Sequence, residues 1–272
     1  MIQPKNLEEI GLIRESALLV SKTLGMLAKE IKPGVDTLYL DGLAQQFIHD
    51  HGGVSGFLGL YDFPNTLCVS PNEQVVHGLP NKKPLREGDI LSVDCGVLMN
   101  DYYGDHAYTF EVGEVAPEIK ELLQVTKDSL YLAIAACRKG RRIGDIGFSI
   151  QNHVEDYGYS VVREVVGHGL GKQMHESPQV PNYGRKGQGK KLVEGMVLAI
   201  EPMINKGTHR VIYHKDGWTI TTADSQPSAH FEHDVAIIDG SPYLLSTFQY
   251  IYESLGIVST EEEPFRSIAK KL

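Results

Sequence analysis

The chain has 272 residues, 42% of them hydrophobic and 22% charged, with 26 basic and 35 acidic side chains. This length and apolar fraction exclude a disordered chain and allow one large domain or two small ones with a substantial core. The formal net charge of -9 argues against a general nucleic-acid binder, because phosphate contacts require a surplus of basic residues.

The cysteine pattern and the hydropathy exclude further classes of protein. The 3 cysteines are widely spaced and form no CxxC pair, which argues against a disulfide framework or a zinc–thiolate site. The longest apolar run, at residues 130–137, is far shorter than the ~20 residues that a membrane span requires. We therefore expect a cytoplasmic protein without membrane contact.

Hydrophobic periodicity and turn residues divide the chain into helices and strands. Predicted helices cover residues 7–32, 36–51, 117–138 and 143–157, and predicted strands cover residues 67–69, 89–98 and 102–112. From there to residue 246 the sequence favours further strands and is rich in glycine. The tail, with its acidic run at residues 261–263, is predicted to be a solvated appendage.

Two parts of the sequence resemble each other at an offset of 106–107 residues. The clearest pair is Glu87-Gly-Asp-Ile-Leu-Ser-Val-Asp94 and Glu194-Gly-Met-Val-Leu-Ala-Ile-Glu201, in which an apolar strand ends on a carboxylate. Chance similarity is the alternative. We interpret the pattern as a duplication over residues 5–115 and 116–246, followed by an extension at residues 247–272. It predicts one α+β domain whose two pseudo-symmetric halves face a shared site.

Asp94 and Asp105 lie on two predicted strands that a short polar turn connects. A two-residue loop at Met99 and Asn100 would place the two carboxylates directly opposite each other, with Cβ atoms roughly 4.5–5.5 Å apart. A hydrogen-bonded structural role is the alternative for a single buried Asp. Two adjacent carboxylates, however, require a proton or a cation between them.

Three further residues complete this candidate cluster. Glu201 ends an apolar strand, Glu232 interrupts another, and His168 lies in a glycine-rich stretch. Four carboxylates and one imidazole suit divalent Mn, Fe, Co or Zn. Two such ions would cancel the four carboxylate charges, so we expect a two-metal site of the kind that activates water and polarises a carbonyl.

Spaced motifs connect these residues to two further histidines. The motifs are Asn72-Glu-x-x-x-His77-Gly, Asp94-x10-Asp105, Gly167-His168-Gly-x-Gly-x-x-x-His175-Glu-x-Pro178, Glu201-Pro202-Met, Lys215-Asp-Gly-Trp218 and Ser228-Ala-x-x-Glu232-His233. Over residues 10–246 the chain resembles the type I methionine aminopeptidases. The resemblance implies a pita-bread α+β fold, with antiparallel sheet inside and helices outside. It also implies removal of the initiator methionine before a small second residue.

The type I assignment depends on features that the sequence lacks. No zinc-binding or basic segment precedes the matching region, and the interval between His175 and Glu201 is too short for the large insertion of the type II enzymes.

The resemblance implies a role for each candidate ligand. Asp94 would bind one metal ion, and His168 and Glu201 would bind the other. Asp105 and Glu232 would bridge both ions. Glu201 would also carry a proton from the attacking water to the leaving amine.

The remaining matches imply contacts with the substrate. His77 and His175 would hold the substrate amide and stabilise the tetrahedral intermediate. Phe63, Cys68 and Trp218 would form the walls of a pocket for the methionine side chain. Packing in an ordinary core is the alternative for these three residues.

Further implications concern partners and departures from the family pattern. The family suggests a monovalent cation near Asn72 and Ser228, nascent N-termini near the ribosome as substrates, no direct nucleic-acid contact, and a monomer. His106 stands where the family usually has a small hydroxyl residue, and Met174 stands where it has an aromatic one.

Two alternative functions remain at this point. A prolidase or Xaa-Pro aminopeptidase shares the fold but normally carries an additional N-terminal domain. A non-catalytic binding protein with the same fold is the second alternative, and the complete set of five candidate ligands argues against it.

Overall fold

The computed structural model describes residues 2–266 as helices packed against short antiparallel sheets. The helices are α1 (Leu7–Leu27), α2 (Thr37–Asp50), α3 (Pro117–Ala136), α4 (Ile143–Asp156) and α5 (Gln249–Leu255). The strands are β1 (Val54–Ser55), β2 (Leu67–Pro71), β3 (Gln74–Val76), β4 (Ile90–Met99), β5 (Tyr102–Glu111), β6 (Ser160–Val161), β7 (Gly167–Gly169), β8 (Glu176–Val180), β9 (Val197–Ile200), β10 (Met203–Asn205), β11 (Val211–Tyr213), β12 (Ile220–Thr222), β13 (Ser228–His230), β14 (His233–Ile238) and β15 (Ser241–Leu244). Single 3-10 turns occur at Leu60–Asp62 and Glu263–Phe265.

The strands form four sheets in the described part of the chain. In the first, β4 pairs with β1, β2 and β5, and in the second the order is β15-β14-β9-β7-β8. Two three-stranded sheets have the orders β13-β10-β6 and β11-β12-β3. Every pairing between these strands is antiparallel, which confirms the predicted α+β class.

Helix α1 lies across the first sheet and begins at a capping box in which Asn6 and Glu9 bond each other's backbone N–H groups. The predicted helix to residue 32 is too long, because the chain leaves α1 after Leu27 and continues in turns. Ile31 nevertheless stays buried, so the apolar periodicity continues beyond the helix itself. No helix within residues 2–266 is long and apolar enough to span a bilayer.

The β4–β5 hairpin turns one residue later than predicted. Asn100 and Asp101 form its loop with φ of 53° and 64°, a conformation that suits Asn and Asp in two-residue hairpins. Asp105 therefore pairs with Gly96, two positions from Asp94. The predicted direct opposition of the two carboxylates is wrong. Moving the turn by one residue changes the cross-strand partner of Asp105 by two positions. Because side chains alternate between the faces of a sheet, Asp94 and Asp105 still lie on the same face.

Local hydrogen bonds recur at the offset of the sequence repeat. The N–H of Gly34 donates to Leu85 at 2.8 Å, and the N–H of Gly140 donates to Leu192 at 3.0 Å. Helices α2 and α4 are each 14 residues long and follow these bonds directly. Each half therefore contains the same loop–helix arrangement.

Residues 247–252 and Glu262 pack against the body of the protein, so the predicted solvated appendage is wrong for these residues, whereas residues 255–258 are exposed. Helix α5 lies along α1. The carboxylate of Glu262 is buried, and it accepts hydrogen bonds from Thr247 Oγ1 at 2.6 Å and from the N–H of Phe248 at 2.5 Å. These donors replace water around a residue that composition alone assigns to the surface. The rest of the predicted appendage, residues 267–272, lies outside the described residues.

Gly104 allows α1 to lie directly on β5, because a Cβ there would overlap the backbone of Ser16 and Ala17. We expect Gly104→Ala to lower the free energy of unfolding by about 1–3 kcal/mol, the usual cost of overpacking. Gly42→Ala in α2 is the control, since its Cβ would meet nothing within 4 Å and should stabilise by up to about 1 kcal/mol. Urea unfolding measures both. Equal stability of the two variants would contradict this close packing.

Candidate active site

A cavity of about 240 Å³ brings together every residue predicted from the sequence to bind the divalent metals or the substrate. Its lining includes Phe63, Cys68, His77, Asp94, Asp105, His168, His175, Glu201, Trp218 and Glu232. Phe57, Leu60 and Tyr61 also line it, and they were not predicted.

Two sheets supply the five candidate metal ligands. Asp94 lies in β4, Asp105 in β5 and His168 in β7, while Glu201 directly follows β9 and Glu232 directly precedes β14. The N–H of Glu232 donates to the carbonyl of Ala107 in β5 at 3.0 Å, which joins the two sheets beside the cavity. Paired strands therefore hold the ligands from both sides.

The distances between the ligand atoms are short enough for a shared cation. Asp105, His168 and Glu232 each offer an atom within 4.8 Å of the others. Nε2 of His168 lies 3.6 Å from Oδ2 of Asp105 and 3.5 Å from Oε1 of Glu201. Atoms in this range can surround one divalent ion, since Zn²⁺ binds oxygen and nitrogen at about 2.0–2.2 Å.

Two of the buried carboxylates, Asp94 and Glu232, are only partly compensated by protein groups. Burial, together with the neighbouring carboxylates, raises the pKa of both Asp94 and Glu232 well above its ordinary value. Oδ1 of Asp94 and Oε1 of Glu232 are buried without a hydrogen-bond partner among the described residues. Oxygen atoms in this state, next to like charges, fit a site for divalent cations.

Glu201 has an intermediate acidity. Its burial and the charge of Asp105 raise its pKa, against the attraction of His168, to about 7. The amide of Asn182 donates to the backbone carbonyl of Glu201 at 2.9 Å, while the carboxylate directs Oε1 at His168 and Oε2 at His230, whose Nε2 atoms lie 3.5 Å and 3.8 Å away. A carboxyl group with this pKa can take up and release a proton near neutral pH.

His168 is oriented by the backbone. Its Nδ1 lies 3.0 Å from the carbonyl of Gly169, so Nδ1–H donates there and Nε2 faces the carboxylates. Burial alone would lower its pKa, but Asp105 and Glu201 raise the pKa of His168 to about 9. A cation bound by the same carboxylates would displace this proton.

His77 and His175 stay neutral, because the effect of burial on their pKa values exceeds that of the nearby carboxylate. Burial lowers the pKa of His77, and burial together with His168 lowers the pKa of His175 to about 4. The His175 ring meets His168 edge-on with centroids 4.5 Å apart, and Tyr61 stacks on it at 5.8 Å. Each neutral imidazole can donate one hydrogen bond into the cavity.

The other wall of the cavity is apolar. Phe63 meets Trp218 edge-to-face with ring centroids 5.0 Å apart, and it meets Phe57 in the same way at 6.5 Å. Cys68 is buried beside them, and burial raises the pKa of its thiol well above the usual value. This wall can accept an unbranched apolar side chain.

Phe57, Leu60 and Tyr61 come from the loop between β1 and β2. Periodicity does not show where a loop residue points, so the sequence analysis identified only Phe63 in this region. The available signal was the concentration of aromatic residues and leucine around Gly59.

Asn72 and Ser228 lie together outside the cavity lining. The N–H of Ser228 donates to the carbonyl of Asn72 at 2.9 Å. The Asn72 amide group bonds Asp89 at 2.9 Å and the N–H of Ile90 at 3.1 Å. The monovalent-cation site near these residues stays a prediction.

The two departures from the family pattern are both buried. Met174 fills the space over Gly56 and Gly96, next to the hairpin that carries Asp94. His106 packs behind the carboxylates, stacked on His233 at 4.8 Å. Neither residue lines the cavity.

Comparison with known proteins identifies similar chains over most of this length. A sequence model of metallopeptidase family M24 matches residues 11–239. The methionine aminopeptidase of Clostridium acetobutylicum is 49% identical over 247 residues, which cover 90% of this chain and 99% of that protein. Methionine aminopeptidase 1 of Bacillus subtilis is 45% identical over 239 residues, covering 88% and 96%.

Solved structures confirm the pita-bread fold. A crystal structure of methionine aminopeptidase from Rickettsia prowazekii superposes with a TM-score of 0.90 at 40% identity, covering 91% of this chain and 100% of that chain. A prolidase from Pyrococcus furiosus shares the fold with a TM-score of 0.73 at 22% identity, covering 90% of this chain and 65% of its own.

The raised pKa values predict proton release when a cation binds. At pH 7 the metal-free site holds a proton on His168, whose pKa is about 9, and the neighbouring buried carboxylates raise the pKa values of Asp94 and Glu232 well above their ordinary values. A ligand must lose its proton to bind, so Co²⁺ affinity should rise between pH 6 and pH 9, with proton release at pH 7. Calorimetry in buffers of different ionisation enthalpy measures this release. Binding without proton release would contradict the assigned ligands.

Proposed function

The chain belongs to metallopeptidase family M24, and from this premise we propose that it removes the N-terminal methionine of nascent proteins and peptides with a small second residue. One observation carries the proposal. The buried carboxylate–histidine cluster and an apolar pocket lined by Phe63, Cys68 and Trp218 open into the same cavity. A methionine side chain in that pocket would hold its own peptide bond beside the cluster.

Two divalent cations would occupy the cluster. Asp94 would hold one ion, His168 and Glu201 the other, and Asp105 and Glu232 would bind both. The orphaned oxygens of Asp94 and Glu232 support this assignment. When bound, such ions neutralise the four carboxylates, acidify water and polarise a carbonyl. Co, Mn, Fe and Zn all suit these ligands, and availability in the cell selects among them.

Glu201 and the two histidines have different roles in the reaction. Glu201, with a pKa of about 7, accepts a proton from the attacking water and passes it to the leaving amine. His77 and His175 are neutral at pH 7, so they can donate hydrogen bonds to the substrate amide and to the oxygen that gains charge in the transition state.

The substrate preference follows from the shape of the cavity. Phe57 and Leu60 extend the apolar wall formed by Phe63 and Trp218. This surface suits a flexible, unbranched thioether. The scissile carbonyl lies between the methionine and the second residue, so a bulky second residue would obstruct the approach of water.

The proposal also includes the domain organisation of the protein, its cellular location, its partners and a monovalent cation. Residues 1–272 would form one catalytic domain with duplicated halves, which the recurring hydrogen bonds of Gly34 and Gly140 support. The protein would act in the cytoplasm as a monomer on nascent chains near the ribosome, without direct nucleic-acid contact. A monovalent cation near Asn72 and Ser228 would complete its cofactors.

Peptide hydrolysis tests this function. We expect the metal-loaded protein to release methionine from Met-Ala-Ser and to leave Xaa-Pro peptides intact, because an apolar pocket ends beside the cluster. Chromatography of the products measures both reactions. Preferential cleavage of Xaa-Pro peptides would indicate the prolidase alternative, and cleavage of neither would favour a non-catalytic binding protein.

Glu201→Gln tests the proton transfer. The amide keeps the size of the side chain but cannot accept a proton, so kcat should fall by about 10²–10⁴-fold. Circular dichroism and metal analysis show whether the fold and the ions are retained. Glu155→Gln, at an exposed position of α4, is the matched control and should keep full activity. A Glu201→Gln variant that turns over at the wild-type rate would exclude Glu201 as the proton carrier.

A further inference from the structure

The segment after β15 packs directly behind the candidate metal ligands. The family match ends at residue 239, before this segment. Phe248 is fully buried, stacks on His106 with ring centroids 4.9 Å apart, and contacts His233 in a tilted arrangement at 4.2 Å. These histidines directly follow Asp105 and Glu232 in the chain. The tail therefore touches the residues next to both proposed bridging carboxylates.

A chain of polar contacts connects the backbone of Asp105 to the tail. The N–H of Asp105 donates to Oδ2 of Asp234 at 2.8 Å, and the N–H of Asp234 donates to Ser246 Oγ at 3.1 Å. Ser246 Oγ lies 2.8 Å from His233 Nδ1, and His233 Nε2 lies 3.5 Å from Oε1 of Glu262. With the serine O–H donated to Nδ1, the Nε2–H of His233 faces the Glu262 carboxylate.

Glu262 is itself held in place. It accepts from Thr247 Oγ1 and from the N–H of Phe248, and it pairs with Arg266. Burial alone would raise its pKa, but His233, Thr247 and Arg266 lower the pKa of Glu262 to about 2. The buried side chain therefore keeps a fixed negative charge opposite His233 at neutral pH.

We infer that Glu262 is a positioning residue for the metal centre, acting from the tail through His233 on the strands that carry Glu232 and Asp105. It touches neither substrate nor the proposed ions. The inference rests on the proposed function only in taking this cluster as the metal site. Partners of metal ligands set the geometry and affinity of such sites, with typical effects of about 10–100-fold on mutation.

Cobalt binding to the full-length protein tests the inference. Glu262→Gln keeps the size of the side chain and removes its charge, so we expect about tenfold weaker Co²⁺ binding and an altered Co²⁺ absorption spectrum. Glu263→Gln makes the same change at the exposed neighbouring position and should bind Co²⁺ like wild type. Thermal unfolding of each metal-free variant shows whether the fold is retained.

A second variant keeps the test decisive if Glu262→Gln folds poorly. Ser246→Ala breaks the same contact chain at its middle and should by itself weaken Co²⁺ binding; where Glu262→Gln folds, the double variant should lose no more affinity than the worse single one. Wild-type affinity and spectrum in Glu262→Gln, additive losses in the double variant, or a lower unfolding temperature with unchanged Co²⁺ binding would each overturn the inference. Hydrolysis of Met-Ala-Ser by the wild type tests the proposed function separately.

Discussion

Mutual repulsion among Asp94, Asp105, Glu201 and Glu232 is the constraint around which this protein is organised. Burial removes the water that would otherwise screen these carboxylates, and the pKa values of Asp94 and Glu232 rise well above normal in response. Strands from two sheets nevertheless hold the four groups at one cavity. An arrangement that is unfavourable for the protein alone becomes favourable once cations bind, so binding energy can stabilise the fold.

The surroundings of the cluster divide its histidines into two kinds. His168 points between carboxylates and is held there by the Gly169 carbonyl, whereas His77 and His175 lie where burial keeps them neutral. The apolar wall of Phe63 and Trp218 begins beside the same cavity. Metal binding, hydrogen bonding to substrate and selection of an apolar side chain therefore share one enclosed space, in which electrostatic interactions are strong.

The sequence was most informative where local chemistry determines structure. Helix α2 begins within one residue of its predicted start, where Asp36 caps it, and ligands separated by more than 130 residues were identified from their chemical type and motif spacing. The hairpin register failed because it depended on positive φ at Asn100 and Asp101, which alternation of apolar residues does not encode.

Other errors have a common origin in tertiary contacts. The acidic run of the tail suggested a solvated segment, yet donors from Thr247 and Phe248 satisfy Glu262 inside the protein. Loop residues such as Leu60 line the cavity because the backbone of the loop passes beside it. Ile31 is buried although it lies beyond the end of α1. Each case depends on neighbours far away in the chain, which periodicity over a short window cannot report.

Anomalous diffraction from crystals of the Co²⁺-loaded protein tests the central claim most directly. The account predicts two anomalous peaks in the cavity, both contacted by Asp105 and Glu232, one also by Asp94 and the other by His168 and Glu201. A cavity without such peaks, or cobalt bound only by other residues, would contradict it.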